Sequence, residues 1–296
     1  SCGIVERVPA NSDELVELLR LGRVGESGFL GHHPKTLMQR TYGGQVLAQA
    51  LMAAYGTVLQ ERIVHSLHAY FLRSGSVDSD ITYLVDAVRD GGTFSNRRVT
   101  ATQEKEIFSM SASFHAKEPG LNHDDPMPRE VPGPDQCPTL VEVLGARFGG
   151  HPIWHEWDAI DVRFVGDSSP GGSIQPGRHV ASMRVWVRTQ QPLPDDLRLH
   201  QAVLAYISDL TLLSVSAVPH PVVFMSNQLQ TASVDHVMWF HRDFRADDWL
   251  LYDMFSPSAS AALGYSSGRL FQDGRLVVSC AQEGLIRPVG ERQFLS

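Results

Sequence analysis

Three polar side chains in the second half of the chain can together activate a water molecule: Asp209, Ser233 and Gln282. Asp209 stands in an apolar helical segment, Ser233 precedes a strand-like segment, and Gln282 lies in a strand otherwise suited to a core. A carboxylate can accept a proton from water while a hydroxyl and an amide orient that water toward an acyl carbon. Because burying an aspartate is costly unless it is paired or used, the set predicts a catalytic site. The alternative for Asp209 alone is a local contact with the backbone at its helix end.

A second hydrolytic chemistry is suggested by residues 264–268, which read Gly-Tyr-Ser-Ser-Gly and match the G-x-S-x-G nucleophile elbow. That motif would make Ser266 the nucleophile of an α/β-hydrolase, and it requires a strand, a sharp turn and then a helix. The residues after Ser266 instead lead into a strand pair around Gln272, Asp273 and Gly274. Since the chain contains 25 glycines, a match to so short a pattern carries little weight.

Metal or cofactor chemistry has little support. His151 and His155 are four residues apart, but Pro152 interrupts any regular helix there and the H-E-x-x-H order is absent. The cysteines are odd in number and widely spaced, which argues against a disulfide framework and a thiolate metal site: Cys2, Cys137 and Cys280. We therefore predict neither a metal nor a cofactor.

The elements that must position Asp209, Ser233 and Gln282 form part of an internal repeat with an offset of 169 residues. Three pairs keep this spacing, with a slip of about one residue afterwards: Phe71 with Phe240, Arg73 with Arg242, and Tyr83 with Tyr252. A fixed offset predicts a duplicated unit that packs as a pseudo-symmetric pair. Only the second copy carries an acid in its buried helix, since the first offers Gln45, Gln49 and small apolar residues. One active site per chain is the expectation.

Helix and strand signals predict an α+β fold in which each buried helix is followed by a bent antiparallel sheet. A leading helix begins near Ser12 with Ser or Asn as its cap, and Gly43-Gly44 opens an apolar helix over residues 46–55. Residues 195–210 predict the second buried helix, with acids in its first turn. The proposed division is an N-terminal unit over 1–117, a Pro/Gly-rich linker with little regular structure over 118–150, and a C-terminal unit carrying the catalytic set over 151–296.

Length and composition are those of an ordinary globular protein. The 296 residues suffice for two units, and 43% hydrophobic content supplies a shared core. The net charge of −8 is spread without acidic or basic blocks, so neither a nucleic-acid partner nor a membrane partner is predicted. Cysteine usage and the lack of a long apolar run favour a cytoplasmic location. Exposed sheet edges favour further association, so we expect a homo-oligomer, a dimer or larger.

Several long segments, in matching order across roughly residues 30–290, closely resemble the bacterial acyl-CoA thioesterase II family: residues 42–46, 65–73, 89–91, 233–242, 249–252 and 282–284. This resemblance implies a double hot dog fold, acyl-CoA as the substrate, and hydrolysis to free fatty acid and coenzyme A. The catalytic Asp of the family falls on Asp209, its Gln falls on Gln282, and its hydroxyl residue, usually Thr, falls on Ser233. The Ser retains the hydroxyl but lacks the methyl group that restricts the Thr rotamer.

Two other functions within this fold are weighed against hydrolysis. A catalytically inactive protein that binds acyl-CoA would not need Asp209, Ser233 and Gln282 all to be present. Hydration of an enoyl-CoA would need an Asp and a His at the start of a buried helix, and residues 41–45 supply no acid. We expect backbone N–H groups near the start of a buried helix to stabilise the oxyanion. Gly43 and Gly44 either permit close approach of an acyl group to such a backbone or serve tight packing of the helix against the sheet.

Overall fold

The computed structural model describes residues 7–175, 177–222, 224 and 228–289; Cys2 and residue 296, the predicted end of the C-terminal unit, lie outside them. The N-terminal half contains these elements: α1 (Ser12–Leu18), β1 (Gly22–Val24), β2 (Gly28–Gly31), α2 (Gly43–Tyr55), β3 (Arg62–Phe71), β4 (Ile81–Asp90), β5 (Phe94–Thr102) and β6 (Glu106–Ala116). The remainder contains these: α3 (Leu140–Phe148), β7 (Ile160–Asp167), β8 (Ala181–Thr189), α4 (Leu197–Ser208), β9 (Leu229–Ser233), β10 (Asp235–Phe240), β11 (Leu250–Ser260), β12 (Leu263–Gln272) and β13 (Arg275–Pro288).

The described strands form one antiparallel sheet that runs through both halves. Its order is β1-β2-β4-β5-β6-β3-β10-β13-β12-β11-β8-β7, and β9 pairs with β13 beside β10. The two halves join where β3 pairs with β10. In that ladder His68 lies opposite Val237, and these two residues differ by the repeat offset of 169. A residue that faces its own counterpart marks a pseudo-two-fold axis.

Strand boundaries confirm the repeat that the sequence predicts. The strands β4, β5 and β6 begin 169 residues before β11, β12 and β13, respectively. The pairing register also shows the slip: Arg97 lies opposite Ala112, whereas Ser266, its counterpart at 169, lies opposite Gln282. In this register β13 is therefore offset from β6 by 170 residues rather than 169, so that Gln282 takes the place in the sheet that Ala112 has in the first half.

The two long helices lie antiparallel and are buried together. Helix α2 is buried at nearly every position, as its apolar sequence predicts, and α4 is buried along its length. Tyr55 at the end of α2 meets Gln201 in the first half of α4, and Tyr42 before α2 meets Tyr206 near the end of α4. One hydrophobic core contains side chains from both helices and both halves of the sheet. This arrangement is the double hot dog fold.

Local differences from the sequence predictions have simple causes. Asn11, rather than Ser12, is the N-cap of α1, and its side chain accepts a hydrogen bond from the Glu14 backbone N–H. Asp196 caps α4 from outside its first turn, because its side chain satisfies the N–H of Arg198. The segment over 118–150 is less irregular than predicted, since α3 forms within it. A reciprocal capping box between Thr139 and Glu142 begins that helix.

Candidate active site

The C-terminal end of α4 meets the N-terminal end of α2 at a carboxylate. Asp209 is the residue at which α4 ends, and its side chain is only 4% exposed. The backbone N–H of Gly44, in the first turn of α2, lies on the side of this carboxylate and lowers its pKa. The start of a helix carries partial positive charge and unpaired N–H groups, which favour an anion there. Asp209 therefore faces the start of another helix, and the side-chain hydrogen bonds that it accepts come from Ser233 and Gln282 rather than from its own C-terminal turn.

Glycine is required where the two helix ends meet. A Cβ atom at Gly43 would lie 2.6 Å from Asp209 Oδ2, and one at Gly44 would lie 2.4 Å from the carbonyl oxygen of Tyr206. Both distances are shorter than carbon–oxygen contacts allow, so a side chain would push the helices apart. The glycines thus permit the close approach of Asp209 and α4 to α2, a contact between two helices rather than the helix–sheet packing considered from the sequence.

The three predicted residues come together in a closed hydrogen-bonded set. Gln282 Nε2 lies 2.6 Å from Asp209 Oδ1 and 2.8 Å from Ser233 Oγ. Ser233 Oγ donates to Asp209 Oδ1 at 3.3 Å. Gln282 reaches the set from β13, where it is 1% exposed, and Ser233 comes from the end of β9. Since β9 pairs with β13, one corner of the sheet supplies both groups that orient the carboxylate.

The electrostatics of the site make Asp209 a stronger base than an exposed aspartate. Burial raises the pKa of Asp209 to about 6, and the hydrogen bonds from Gln282, Ser233 and Gly44 act in the opposite direction. The desolvation penalty on the charged form exceeds the stabilisation from these three donors. Near neutral pH the carboxylate is ionised, yet its pKa lies close enough to the working pH for effective proton transfer. The Oε1 atom of Gln282 is buried and has no hydrogen-bond partner among the described residues, so it is an acceptor that a substrate water can use.

Two tyrosines enclose the carboxylate on the side of α2. Tyr42 donates a hydrogen bond of 2.6 Å to the carbonyl oxygen of Tyr206, and the two rings meet edge to face at 5.0 Å. Burial and the nearby charge of Asp209 raise the pKa of Tyr42 well above its usual value. A neutral, partly buried phenol here contributes shape and low polarity rather than charge. Low polarity beside the carboxylate strengthens the electrostatic interactions of Asp209.

Sequence patterns did not identify two further contacts of the carboxylate. His236 on β10 is fully buried, and its Nδ1 atom lies 3.7 Å from Asp209 Oδ1. The N–H of Gly44 is the other contact. The glycine pair and the position of His236, three residues after Ser233, were visible in the sequence. Their contacts were not, because they depend on two helix ends and a strand meeting across the core.

Family models for acyl-CoA thioesterases match both halves of the chain. The model described as acyl-CoA thioesterase covers residues 161–285, and the model described as acyl-CoA thioesterase N-terminal domain covers residues 33–115. Human acyl-coenzyme A thioesterase 8 is 38% identical to this chain over 91% of it and 88% of the relative. The chain belongs to the acyl-CoA thioesterase family.

Other members of the acyl-CoA thioesterase family share the same architecture over nearly the whole length. Acyl-CoA thioesterase 2 of Haemophilus influenzae is 33% identical over 93% of this chain and 97% of that protein. The crystal structure of acyl-CoA thioesterase II TesB2 from Mycobacterium marinum is 40% identical. It covers 94% of this chain and 99% of its own, with a TM-score of 0.79. The family resemblance found in the sequence and the double hot dog fold are thereby confirmed.

Ser266 does not have the setting of a nucleophile in this thioesterase family member. It lies in the interior of β12, directly opposite Gln282, and it is fully buried. The strand, sharp turn and helix that a nucleophile elbow requires are absent from residues 263–288, which form a continuous hairpin of two strands. The serine-esterase alternative therefore has no structural support.

The histidines considered for metal binding make local contacts instead. His151 accepts a hydrogen bond from the N–H of Ile153, and His155 Nδ1 lies 3.1 Å from Asp158 Oδ1. Across residues 7–175, 177–222, 224 and 228–289, no group of three or more His, Cys, Asp and Glu side chains is arranged to hold a metal ion. In the same residues, no helix has the length and apolar character needed to cross a bilayer.

Proposed function

We propose that this protein hydrolyses acyl-CoA thioesters to a free fatty acid and coenzyme A, with Asp209 as the general base. The observation that carries the proposal is the buried Asp209 carboxylate, bonded by Gln282 and Ser233 and facing the N-terminal end of α2. Names of relatives over more than 90% of the chain support the substrate class.

The proposed reaction has no covalent enzyme intermediate. Asp209 takes a proton from water while Gln282 and Ser233 fix the orientation of that water, and the resulting hydroxide forms a bond to the thioester carbonyl carbon. The carbon–sulfur bond then breaks, and the proton held by Asp209 passes to the departing thiolate of coenzyme A. The oxyanion donor that we expect is a backbone N–H group near the start of a buried helix.

The proposal is tested by thiol release from a ladder of saturated acyl-CoA substrates, with the wild type beside Asp209→Asn. Asparagine keeps the shape and loses the base, so we expect turnover to fall by about 10³-fold while the protein remains folded. The profile of the wild type across the ladder also gives the preferred chain length. If neither protein releases thiol but acyl-CoA raises the melting temperature of both, the chain is a binding protein and the proposed reaction is wrong.

Three organisational features belong to the same proposal. The two hot dog units span 1–117 and 151–296, with 118–150 between them, although α3 gives that connection some regular structure. The protein is a cytoplasmic homo-oligomer.

Exposed aromatic side chains on the sheet surface support self-association of the chain: Tyr70, Trp239 and Tyr265. Light scattering after gel filtration tests the oligomeric state, and a mass matching one chain at micromolar concentration would contradict it.

A further inference from the structure

His236 occupies an unusual position beside the proposed base. Its ring is fully buried on the core face of β10, and its Nδ1 atom lies 3.7 Å from Asp209 Oδ1. This nitrogen has no hydrogen-bond partner among the described residues. A buried polar atom without a partner costs free energy, so the bare Nδ1 of His236, like Oε1 of Gln282, needs an explanation.

The other ring nitrogen determines where the single imidazole proton sits. His236 Nε2 lies 2.9 Å from Ser208 Oγ, and that hydroxyl can donate its one hydrogen to the carbonyl oxygen of Ala205 at 2.9 Å. Ser208 Oγ also lies 3.6 Å from Met238 Sδ, so its one hydrogen has three acceptors within reach. In the arrangement in which that hydrogen goes to Ala205, Ser208 Oγ accepts the Nε2–H of His236. The Nδ1 atom then carries a bare lone pair, and that lone pair faces Asp209 Oδ1.

A bare acceptor near a carboxylate disfavours its charged form and favours an O–H group at the nearer oxygen. We propose that His236 is a positioning residue whose Nδ1 accepts a hydrogen bond from Asp209 once that side chain has taken a proton from the attacking water. The required contraction from 3.7 Å is roughly 1 Å. Oδ1 accepts bonds from Gln282 and Ser233 in the resting site, and the longer bond, from Ser233, gives way when Oδ1 takes the proton. The proton stays on Asp209 until the carbon–sulfur bond breaks and the thiolate accepts it, and His236 remains neutral throughout. This inference rests on the proposed function, because it assumes that Asp209 is the base.

The surroundings leave Asp209 and His236 as the pair on which this effect depends. Burial lowers the pKa of His236 to about 3, which keeps the ring neutral at working pH. The other titratable groups around them are Tyr42 before α2, Tyr206 on α4, Tyr252 on β11 and Cys280 on β13. Burial raises the pKa of each of these four groups, so all of them are uncharged at neutral pH.

Two variants separate this effect from a structural role for the ring. In His236→Gln the amide can still reach Ser208, but no group replaces Nδ1. Ser208→Ala removes the acceptor of Nε2–H and frees the ring to carry its proton on Nδ1. Both changes remove the bare lone pair, which lowers the pKa of Asp209. In a plot of kcat against pH, we therefore expect the limb where kcat falls on the acid side, called the acid limb below, to move to lower pH. We also expect the plateau kcat to fall by up to about tenfold, with KM within about twofold. His236→Asn, which can place an amide oxygen where Nδ1 lies, should keep the limb near its wild-type position.

Each other outcome overturns the inference. If the acid limb stays in place in both His236→Gln and Ser208→Ala, His236 has only a structural role, whatever happens to the melting temperature. A limb that moves to higher pH would mean that Nδ1–H donates to the carboxylate, the opposite tautomer. Asp209→Asn is measured in the same series. If Asp209→Asn keeps wild-type thiol release, Asp209 is not the base and the proposed function fails. If Asp209→Asn is inactive and the acid limb does not move in the His236 and Ser208 variants, only the role proposed for His236 fails.

Discussion

The C-terminal ends of the two buried helices occupy equivalent places in the repeat but contain different chemistry. Asp209 is the C-cap residue that follows α4, and Gly56 is the C-cap residue that follows α2. The strand ladders extend the correspondence. Ser233 pairs with Gly284 on β13, and at the equivalent place in the first half Val64 pairs with Phe114 on β6. Gln282 pairs with Ser266 on β12, and at the equivalent place Ala112 pairs with Arg97 on β5. The counterparts of the proposed Asp, Ser and Gln are therefore Gly56, Val64 and Ala112.

The end of α2 is filled by a guanidinium instead of being left open to a water. Arg198, from the first turn of α4, stacks over the ring of Tyr55 at 4.8 Å and donates to the carbonyl oxygens of Tyr55, Leu59 and Arg62. These bonds satisfy carbonyl groups at and after the helix end, and the positive charge suits a helix C-terminus. The comparison teaches that one fold position can be used for stability or for catalysis. The C-terminal half keeps a buried carboxylate, the proposed base, where the N-terminal half has apolar side chains and a capping charge.

The largest expected effect is on stability at the Asp209 end. The pKa of Asp209 is about 6 in the folded protein against an ordinary value of 3.8, so the folded state binds the proton more tightly than the unfolded chain. Raising the pH through this window therefore removes stability, and above it the charged carboxylate costs at most about 3 kcal/mol. Asp209→Asn should raise the free energy of unfolding at pH 7 by up to about that amount while activity is lost. Urea unfolding at pH 4 and pH 7 checks this, because the difference between variant and wild type should shrink at pH 4.

The amide of Gln282 is expected to have the next largest effect. Gln282→Ala gives this position the residue that the equivalent position in the other half already has, Ala112. The change removes the 2.6 Å bond to Asp209, and loss of that orientation should lower kcat by about 10²-fold. Gln272→Ala is a matched control, since Gln272 is a buried amide on β12 whose bonds go to Arg245 and Asp248. That control should lower stability and leave kcat within about twofold; an equal loss in both variants would make the Gln282 effect structural.

The Ser233 hydroxyl tests the comparison at a finer level. Ser233→Val copies Val64 of the other half and removes a donor to Asp209 at 3.3 Å, a long bond compared with that of Gln282. We expect about a tenfold loss in kcat. Ser233→Thr keeps the hydroxyl and restricts its rotamer, so its kcat should stay within about threefold of wild type. Steady-state thiol release on one acyl-CoA substrate compares the two, and equal losses would show that size rather than the hydroxyl matters.

How far the sequence predicts this molecule depends on whether a feature is local or arises from contact between distant elements. Asp209, Ser233 and Gln282 were predicted because polar groups in apolar segments stand out and because the surrounding segments resemble a family. The 169-residue offset gave the repeat. The role of Arg198 at the end of α2 was not predictable, because a basic residue in a first helical turn has no local signal for a distant helix. The N–H of Gly44 and the ring of His236 became neighbours of Asp209 only through antiparallel packing of α2 and α4 beneath β10.

The smallest expected effect concerns Ser266, which lies opposite Gln282 as Arg97 lies opposite Ala112. Its hydroxyl is fully buried and has no hydrogen-bond partner among the described residues. Ser266→Ala removes a polar atom that has lost its water without gaining a partner, so stability should stay equal or rise by up to about 1 kcal/mol. Thiol release should remain within about twofold, since Gln282 keeps its bonds to Asp209 and Ser233. A serine nucleophile would instead lose nearly all activity on this change, so the same assay separates activation of a water from a covalent route on one side chain.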